Sequence, residues 1–263
     1  MNRERFIAIM ERTGEQYDLD AVFDGKIGTL LTESNPKTLK GLKKGFSSAI
    51  LHLMPSDRSG FQTCPKATFG CRAACLNTAG HGGIRLKSGL ENGVQKARRR
   101  RTHQFFARRT DFMKTLAIDI DRHVKKAERK GLVPCIRLNG TSDIRWETIP
   151  VGPFENIFQM FPGVQFYDYT KLPGRELGIG NYHLTFSVAD GNDADAEREL
   201  ERGMNVAVVF DEVPAEYLGK PVVDGDESDL RFLDPRGVVV GLKAKGEAKG
   251  DTSGFVKRIP LAA

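Results

Sequence analysis

Three of the chain's four cysteines fall within twelve residues, in the run Thr63-Cys64-Pro65-Lys66-Ala67-Thr68-Phe69-Gly70-Cys71-Arg72-Ala73-Ala74-Cys75-Leu76. The spacing is C-x6-C-x3-C, and Pro65 and Gly70 bend the loop, so Cys64, Cys71 and Cys75 can face one centre. Thiolates are soft ligands that suit an iron–sulfur cluster or zinc. Three protein ligands also leave a coordination position open, as a catalytic metal centre requires. Two plainer readings stand beside this one: a structural site completed by His81 or Cys135, or buried free thiols.

Four further segments carry chemistry-bearing residues. Gly80, Gly82 and Gly83 flank His81 directly after the cysteines; their amides can cradle an anion or cofactor, or the segment can be a plain connector. It is not a P-loop, because the Gly-Lys-Ser/Thr ending is absent. Leu138-Asn139-Gly140-Thr141-Ser142-Asp143-Ile144-Arg145-Trp146-Glu147 gathers an amide, two hydroxyls, a carboxylate and the single Trp behind a strand. Arg137 there either lines a mouth or pairs with a buried carboxylate, and the bland alternative for the segment is an Asx-type turn. Phe166-Tyr167-Asp168-Tyr169-Thr170-Lys171, followed by Arg175, sets aromatics beside cations, which suits a flat ligand or a core strand with tyrosines at its rim. Val223-Asp224-Gly225-Asp226-Glu227-Ser228-Asp229-Leu230-Arg231 lacks calcium-loop spacing; it can bind a hard cation, meet a basic region, or be a solvated turn.

The elements that must position these residues alternate. Apolar, β-prone runs at Ala49–Met54, Leu132–Leu138, Val164–Tyr169, Tyr182–Val188, Asn205–Phe210 and Gly237–Leu242 predict strands. The longest helical stretch runs from about Leu90 to Lys130 as two helices, with Thr110-Asp111 capping the second and Gly131 closing it. Phe112, Leu116, Ile120, Val124 and Ala127 form its buried stripe. Another helix spans about Asp193 to Arg202, capped by Asn192 and stopped by Gly203, and Pro153 opens a short one ending near Pro162. This order predicts an α/β fold with a mostly parallel sheet, an irregular or incomplete (β/α) barrel with outer helices. Reactive residues then collect where strands end, which makes Asn139, Ser142, Asp143, Asp168, Lys171 and Lys243 the candidate catalytic set.

Residues 1–35 read as an N-terminal extension and 36–263 as a single domain. The composition is that of a globular protein, and no run approaches the roughly 18 apolar residues of a membrane span. The N-terminus breaks its apolar residues with charges, unlike a signal peptide, so a cytoplasmic location without membrane contact is expected. The formal net charge of +6 hides an asymmetry: residues 37–131 hold 22 basic and six acidic side chains, while both flanks are net acidic. Arg98, Arg99, Arg100, Arg101, Arg108 and Arg109 are the candidate nucleic-acid contacts in that block. A coat of solvated charge packing against acidic loops is the alternative.

TCPKATFGCRAACLNTAGHGG, RLNGTSDIRWE, QFYDYTKLPGR, NYHLTFS and VVDGDESDLRFLDPRGVVVGLKAKG resemble a family of bacteriophage and prophage proteins, the gene-product-88-like group, over roughly residues 35–257. That resemblance implies a phage-type protein in the cytoplasm of a bacterial host and brings no activity with it. A weaker similarity is to radical S-adenosylmethionine enzymes, whose three clustered cysteines follow the first strand of an α/β barrel; it implies S-adenosylmethionine as a cofactor. Their usual cysteine spacing is three and then two residues, against six and then three here, and their Gly-Gly-Glu segment has no clear counterpart.

The leading expectation is therefore a metal- or cluster-dependent enzyme with a three-cysteine centre, of radical or other metal-dependent type, acting on nucleic acid or a nucleotide. The alternatives are a non-enzymatic nucleic-acid-binding protein with a structural zinc, and a phage factor that binds a host protein.

Overall fold

A computed structural model describes residues 1–33, 36–75, 77, 80–84, 91–175 and 178–259. The N-terminal segment forms α1 (Arg3–Thr13) and α2 (Leu19–Phe23), each capped by a side chain: Asn2 accepts from Arg5 N and Asp18 from Ala21 N. Gly14 ends α1 in the left-handed region that glycine adopts without strain. Phe6, Met10 and Val22 from these helices pack with Phe61 and Ala107.

The next elements are β1 (Leu31–Thr32), α3 (Pro36–Leu42), β2 (Phe46–Leu51), α4 (Phe69–Ala73), α5 (Gly93–Ala107) and α6 (Arg109–Glu128). They are followed by β3 (Val133–Arg137), α7 (Ile157–Met160), β4 (Gln165–Thr170), β5 (Tyr182–Ser187), α8 (Asp193–Glu201) and β6 (Val206–Phe210). The chain ends through β7 (Glu216–Tyr217), β8 (Lys220–Asp224), β9 (Val239–Lys243) and β10 (Val256–Lys257). All six strands expected from the sequence are present, as β2, β3, β4, β5, β6 and β9.

These six lie side by side in chain order and every pairing among them is parallel. β1 adds an antiparallel edge beside β2, and the sheet finishes through β8 and β7. β10 pairs with the last residues of β6, at Val209 and Phe210, beyond the point where β5 leaves it. The path runs from β1 to β7 without closing on itself, so the sheet is open, mixed and mostly parallel.

Alternation decides what each face carries. Ala49, Leu51, Ile136, Leu138, Phe166, Leu184, Phe186, Val206 and Val208 join Phe112, Leu116 and Ile120 of α6 in the main core. Each of the larger side chains among these contributes roughly 1.5–3 kcal/mol by leaving water. Ile27, Leu30 and Leu31 of the N-terminal segment belong to the same core. The opposite face places Cys135 and Tyr167 under Leu230.

Several boundaries differ from expectation. Leu90, the expected start of the long helices, lies outside the described residues; α5 begins at Gly93, with Asn92 accepting from the amides of Val94 and Gln95. Thr110 does not cap α6. Arg108 alone separates the two helices, and Phe112 N still bonds to Arg108 O, so the backbone keeps its pairing without a side-chain cap. Gly131 does close α6, donating to Glu128 O at a φ of 64°. The short helix starts at Ile157 under an Asn156 cap rather than at Pro153, because Val151 and Phe154 pair into a turn. Asn192 stands at the start of α8, but its Oδ1 accepts from Ala189 N instead of from the helix. No helix among the described residues is long and apolar enough to cross a membrane.

Candidate functional site

The cysteine run leaves β2 and turns sharply, with Ser56 in the left-handed region at a φ of 54°. Thr63 fixes the turn: its hydroxyl donates to Met54 O at 2.7 Å, and its amide donates to Ser56 O at 2.9 Å. Ser56 N then donates to the Cys64 sulfur at 3.3 Å. Burial pushes the Cys64 thiol up to about 11. Cys71 lies in α4, which Thr68 caps.

Asp190, just past β5, holds this short helix from outside. It pairs with the Thr68 hydroxyl and accepts from Gly70 N at 3.1 Å and Cys71 N at 3.3 Å. Against the cost of desolvation, these donors keep the Asp190 carboxyl below its ordinary value. A Cβ on Gly70 would stand 1.9 Å from Ser253 Oγ and 2.7 Å from Asp190 Oδ1, so only glycine fits there. Cys75 follows, and burial raises its thiol while Arg58 and Lys171 pull it down.

The loop after β3 is organised around Asn139. Its Oδ1 accepts from Ser142 Oγ at 2.9 Å, Ile144 N at 2.9 Å and Trp146 Nε1 at 3.0 Å, and its Nδ2 donates to Ile144 O. Asn139 therefore shapes the loop and has little left for a ligand. Asp143 accepts from Lys171 N at 2.7 Å and Arg175 Nη1 at 3.4 Å, and desolvation still raises its carboxyl. Arg175 is held in turn by both oxygens of Glu147. Asp168 is wholly buried, accepting from Asn139 N at 2.7 Å and Tyr182 Oη at 3.1 Å. Its desolvation lifts it to about 7, opposed by Arg137.

A cavity of about 180 Å³ opens at these strand ends. Cys64, Cys71 and Cys75 all line it, together with Asn139, Ser142, Asp143 and Lys171. The sequence thus led to seven side chains that the fold brings to one place. Two of the catalytic candidates are elsewhere. Asp168 sits behind the wall, and Lys243 is exposed, with its amide on Asp226 Oδ2. Gly80, Gly82 and Gly83 form a turn of 3-10 helix whose Gly82 carbonyl accepts from the side chains of Asn92 and Gln95. They do not line the cavity, so their position is that of a connector docked on α5.

Arg137, Tyr169, Ser187, Leu242 and Phe255 are among the other wall residues. Arg137 and Tyr169 fall in segments that the sequence singled out. Phe255 had no signal, because a two-residue strand in the C-terminal segment leaves no periodicity. Of the two readings for Arg137 both hold, since it lines the cavity and its Nη1 donates to Asp229 Oδ2 at 2.9 Å.

Among the described residues, no group of three His, Cys, Asp or Glu side chains stands as close together as a bound metal ion needs. Cys135 lies outside the cavity lining: it is wholly buried along β3, with its sulfur 3.1 Å from Ser48 Oγ. The His81 side chain lies outside the described residues.

The basic run of α5 is largely engaged within the chain. Arg98 is buried and donates to Asn77 Oδ1 at 2.7 Å, while Arg99 pairs with Glu91 and Glu15. Arg101 donates to Thr29 O, Arg108 to Gly25 O, and Arg109 to Phe105 O with its guanidinium 3.7 Å from the Phe105 ring. Arg100 is exposed. The acidic turn meets the basic block as well, through Lys44–Glu227 at 2.8 Å and Lys40 Nζ on Asp226 O at 2.5 Å.

Fold and cavity together define an open, mostly parallel α/β protein whose strand ends frame a thiol-lined pocket. The chain belongs to the gene product 88 family, whose model matches residues 29–259, from the lead into β1 to the end of the described chain. No curated protein and no solved structure matches it, and the likeness to radical S-adenosylmethionine enzymes finds no support.

Proposed function

We propose that the chain is a metal- or iron–sulfur-dependent enzyme whose centre is held by Cys64, Cys71 and Cys75. The observation that carries this reading is that all three sulfurs line one cavity at the carboxyl ends of parallel strands, where reactive residues gather in α/β folds. The order of β2 to β6 and β9, six parallel strands laid down in sequence, supports reading the sheet as an incomplete barrel with this cavity as its mouth.

The donor set fits such a group. Three thiols from one loop are soft ligands; burial raises the Cys75 thiol, and Arg58 and Lys171 offset part of that cost to its ionised form. The sulfurs must still draw together, against the hold of Asp190 on α4 and of Thr63 and Ser56 on Cys64. A zinc ion held there would supply a Lewis acid with an open position, and an iron–sulfur cluster would supply single electrons. The chain's own residues do the rest. Asp190 sets α4, Asn139 shapes the opposite wall, and Lys171 presents an ammonium beside the thiols.

Anaerobic purification followed by metal and sulfide analysis tests the proposal. It predicts about one zinc or one cluster per chain, lost in Cys64→Ser and Cys71→Ser variants that remain folded. Sub-stoichiometric metal of every kind after reconstitution would refute it.

A further inference from the structure

We propose that the cavity beside the cysteines takes a small organic carboxylate, gripped by Arg137 and Lys171. This rests on reading the cavity as the reaction site, and adds the class of molecule that it receives. Arg137 is only 6% exposed, lines the cavity, and has an Nε with no hydrogen-bond partner among the described residues; Asp168 Oδ1 stands 4.0 Å away. Its guanidinium lies 4.7 Å from the centre of the Tyr169 ring, which fixes its plane. Its Nη1 pairs with Asp229 at 2.9 Å, which holds the guanidinium in place at the cavity wall.

Lys171 also lines the cavity, two residues past Tyr169 on the same face of the sheet. Its ammonium has three donors, of which Ser187 Oγ takes one at 3.1 Å. Asp143 in the wall is matched by Lys171 N and Arg175, so it does not cancel the Lys171 ammonium, and Arg137, whose Nη1 is paired with Asp229, offers its remaining N–H groups. A planar guanidinium fits a planar carboxylate best. The remaining walls at Pro55, Ala67, Leu242 and Phe255 are apolar, and about 180 Å³ admits only a small molecule. A carboxylate anchored on Arg137 and Lys171 therefore leaves the rest of its molecule against the thiols.

Alkylation of the cavity cysteines tests this directly. Iodoacetate and iodoacetamide react alike: the thiolate sulfur attacks the methylene carbon, a C–S bond forms, iodide leaves, and the thiol proton goes to solvent. Only the first carries a carboxylate. Rates at Cys71 and Cys75 would be followed by mass spectrometry on the full chain freed of metal by a chelator. The iodoacetate-to-iodoacetamide ratio, divided by the same ratio for glutathione, cancels any change in thiolate population.

The expected normalised ratio is on the order of ten, as a charge-assisted grip on the reagent implies. Lys171→Met should bring it near one with circular dichroism unchanged, Lys171→Arg should keep most of it, and butyrate should slow both reagents in the native chain. A native ratio at or below one, or rates that butyrate leaves unchanged, would overturn the proposal. So would inorganic phosphate protecting better than butyrate, which would make the ligand a phosphate. Failure of the chain to bind metal would sink the metal reading alone, because this ratio is measured without metal.

Discussion

If three thiols close on a metal, its affinity must climb steeply with pH. Burial pushes Cys64 up to about 11, so holding that sulfur as a thiolate at pH 7 costs about 5 kcal/mol. Cys75 is raised as well, by the same desolvation. Each thiol that arrives protonated and ligates as a thiolate releases one proton, and log K then rises by about one per pH unit. Cys64 and Cys75 alone give a slope of about two, hence roughly 10⁴-fold tighter binding between pH 6 and pH 8. The sign follows from the upward shifts: raised thiol values weaken binding at low pH and release protons throughout this window. Zinc competition against a chelating dye, corrected for the dye's own protonation, measures the slope. Calorimetry in two buffers of different ionisation enthalpy counts the protons. Cys64→Ser should lower the slope by about one. A native slope below one would refute the reasoning, because the bound metal would then not be held by these buried thiols.

Four further outcomes follow from the same geometry. Asp168, raised from 3.8 to about 7 by burial, favours folding below pH 4 and loses that contribution as pH rises through 7; the native chain should lose about 2 kcal/mol of stability between pH 5.5 and 7.5 by urea unfolding, and Asp168→Asn should be flat there. Asn139→Ala strands a buried indole N–H, a hydroxyl and an amide together, and should cost about 2–4 kcal/mol; a loss under about 1 kcal/mol would contradict its role as the organiser of the loop. Gly70→Ala drives a methyl group into Ser253 and Asp190, so metal affinity should fall while the far-ultraviolet circular dichroism stays native. Arg99→Met frees Glu15 and Glu91 at once, and limited proteolysis should then cut first between α1 and α2.

The strands were legible because a parallel sheet covered on both faces leaves unbroken apolar runs such as Val206–Phe210, and the cavity walls were legible because polar residues stop those runs at the strand ends. What the sequence could not show lies at distances no local pattern spans. Thr110 looked like a cap, yet α6 takes its first backbone bond from the carbonyl of Arg108, the single residue between it and α5. Asn139 had the chemistry of a catalytic amide, but three donors from its own loop consume its oxygen. Lys243 ends a strand much as Lys171 follows one, but its neighbour Leu242 faces the cavity, so alternation puts Lys243 on the other side.

The arginine run illustrates why a charge count cannot assign a partner. Its net positive charge would draw phosphate if the guanidiniums faced solvent, but that depends on where acidic and carbonyl groups from residues 15, 25, 29 and 91 come to lie. The fold brings them onto α5, so much of the block's charge binds the N-terminal segment to the body of the protein. Arg137 and Lys171 line the thiol-bearing cavity, although by sequence they belong to the net-acidic stretch after residue 131. Position along the chain and position in space thus give opposite answers about where an anion would be received. The spatial one carries the argument, since electrostatic attraction acts through distance and burial rather than through sequence order.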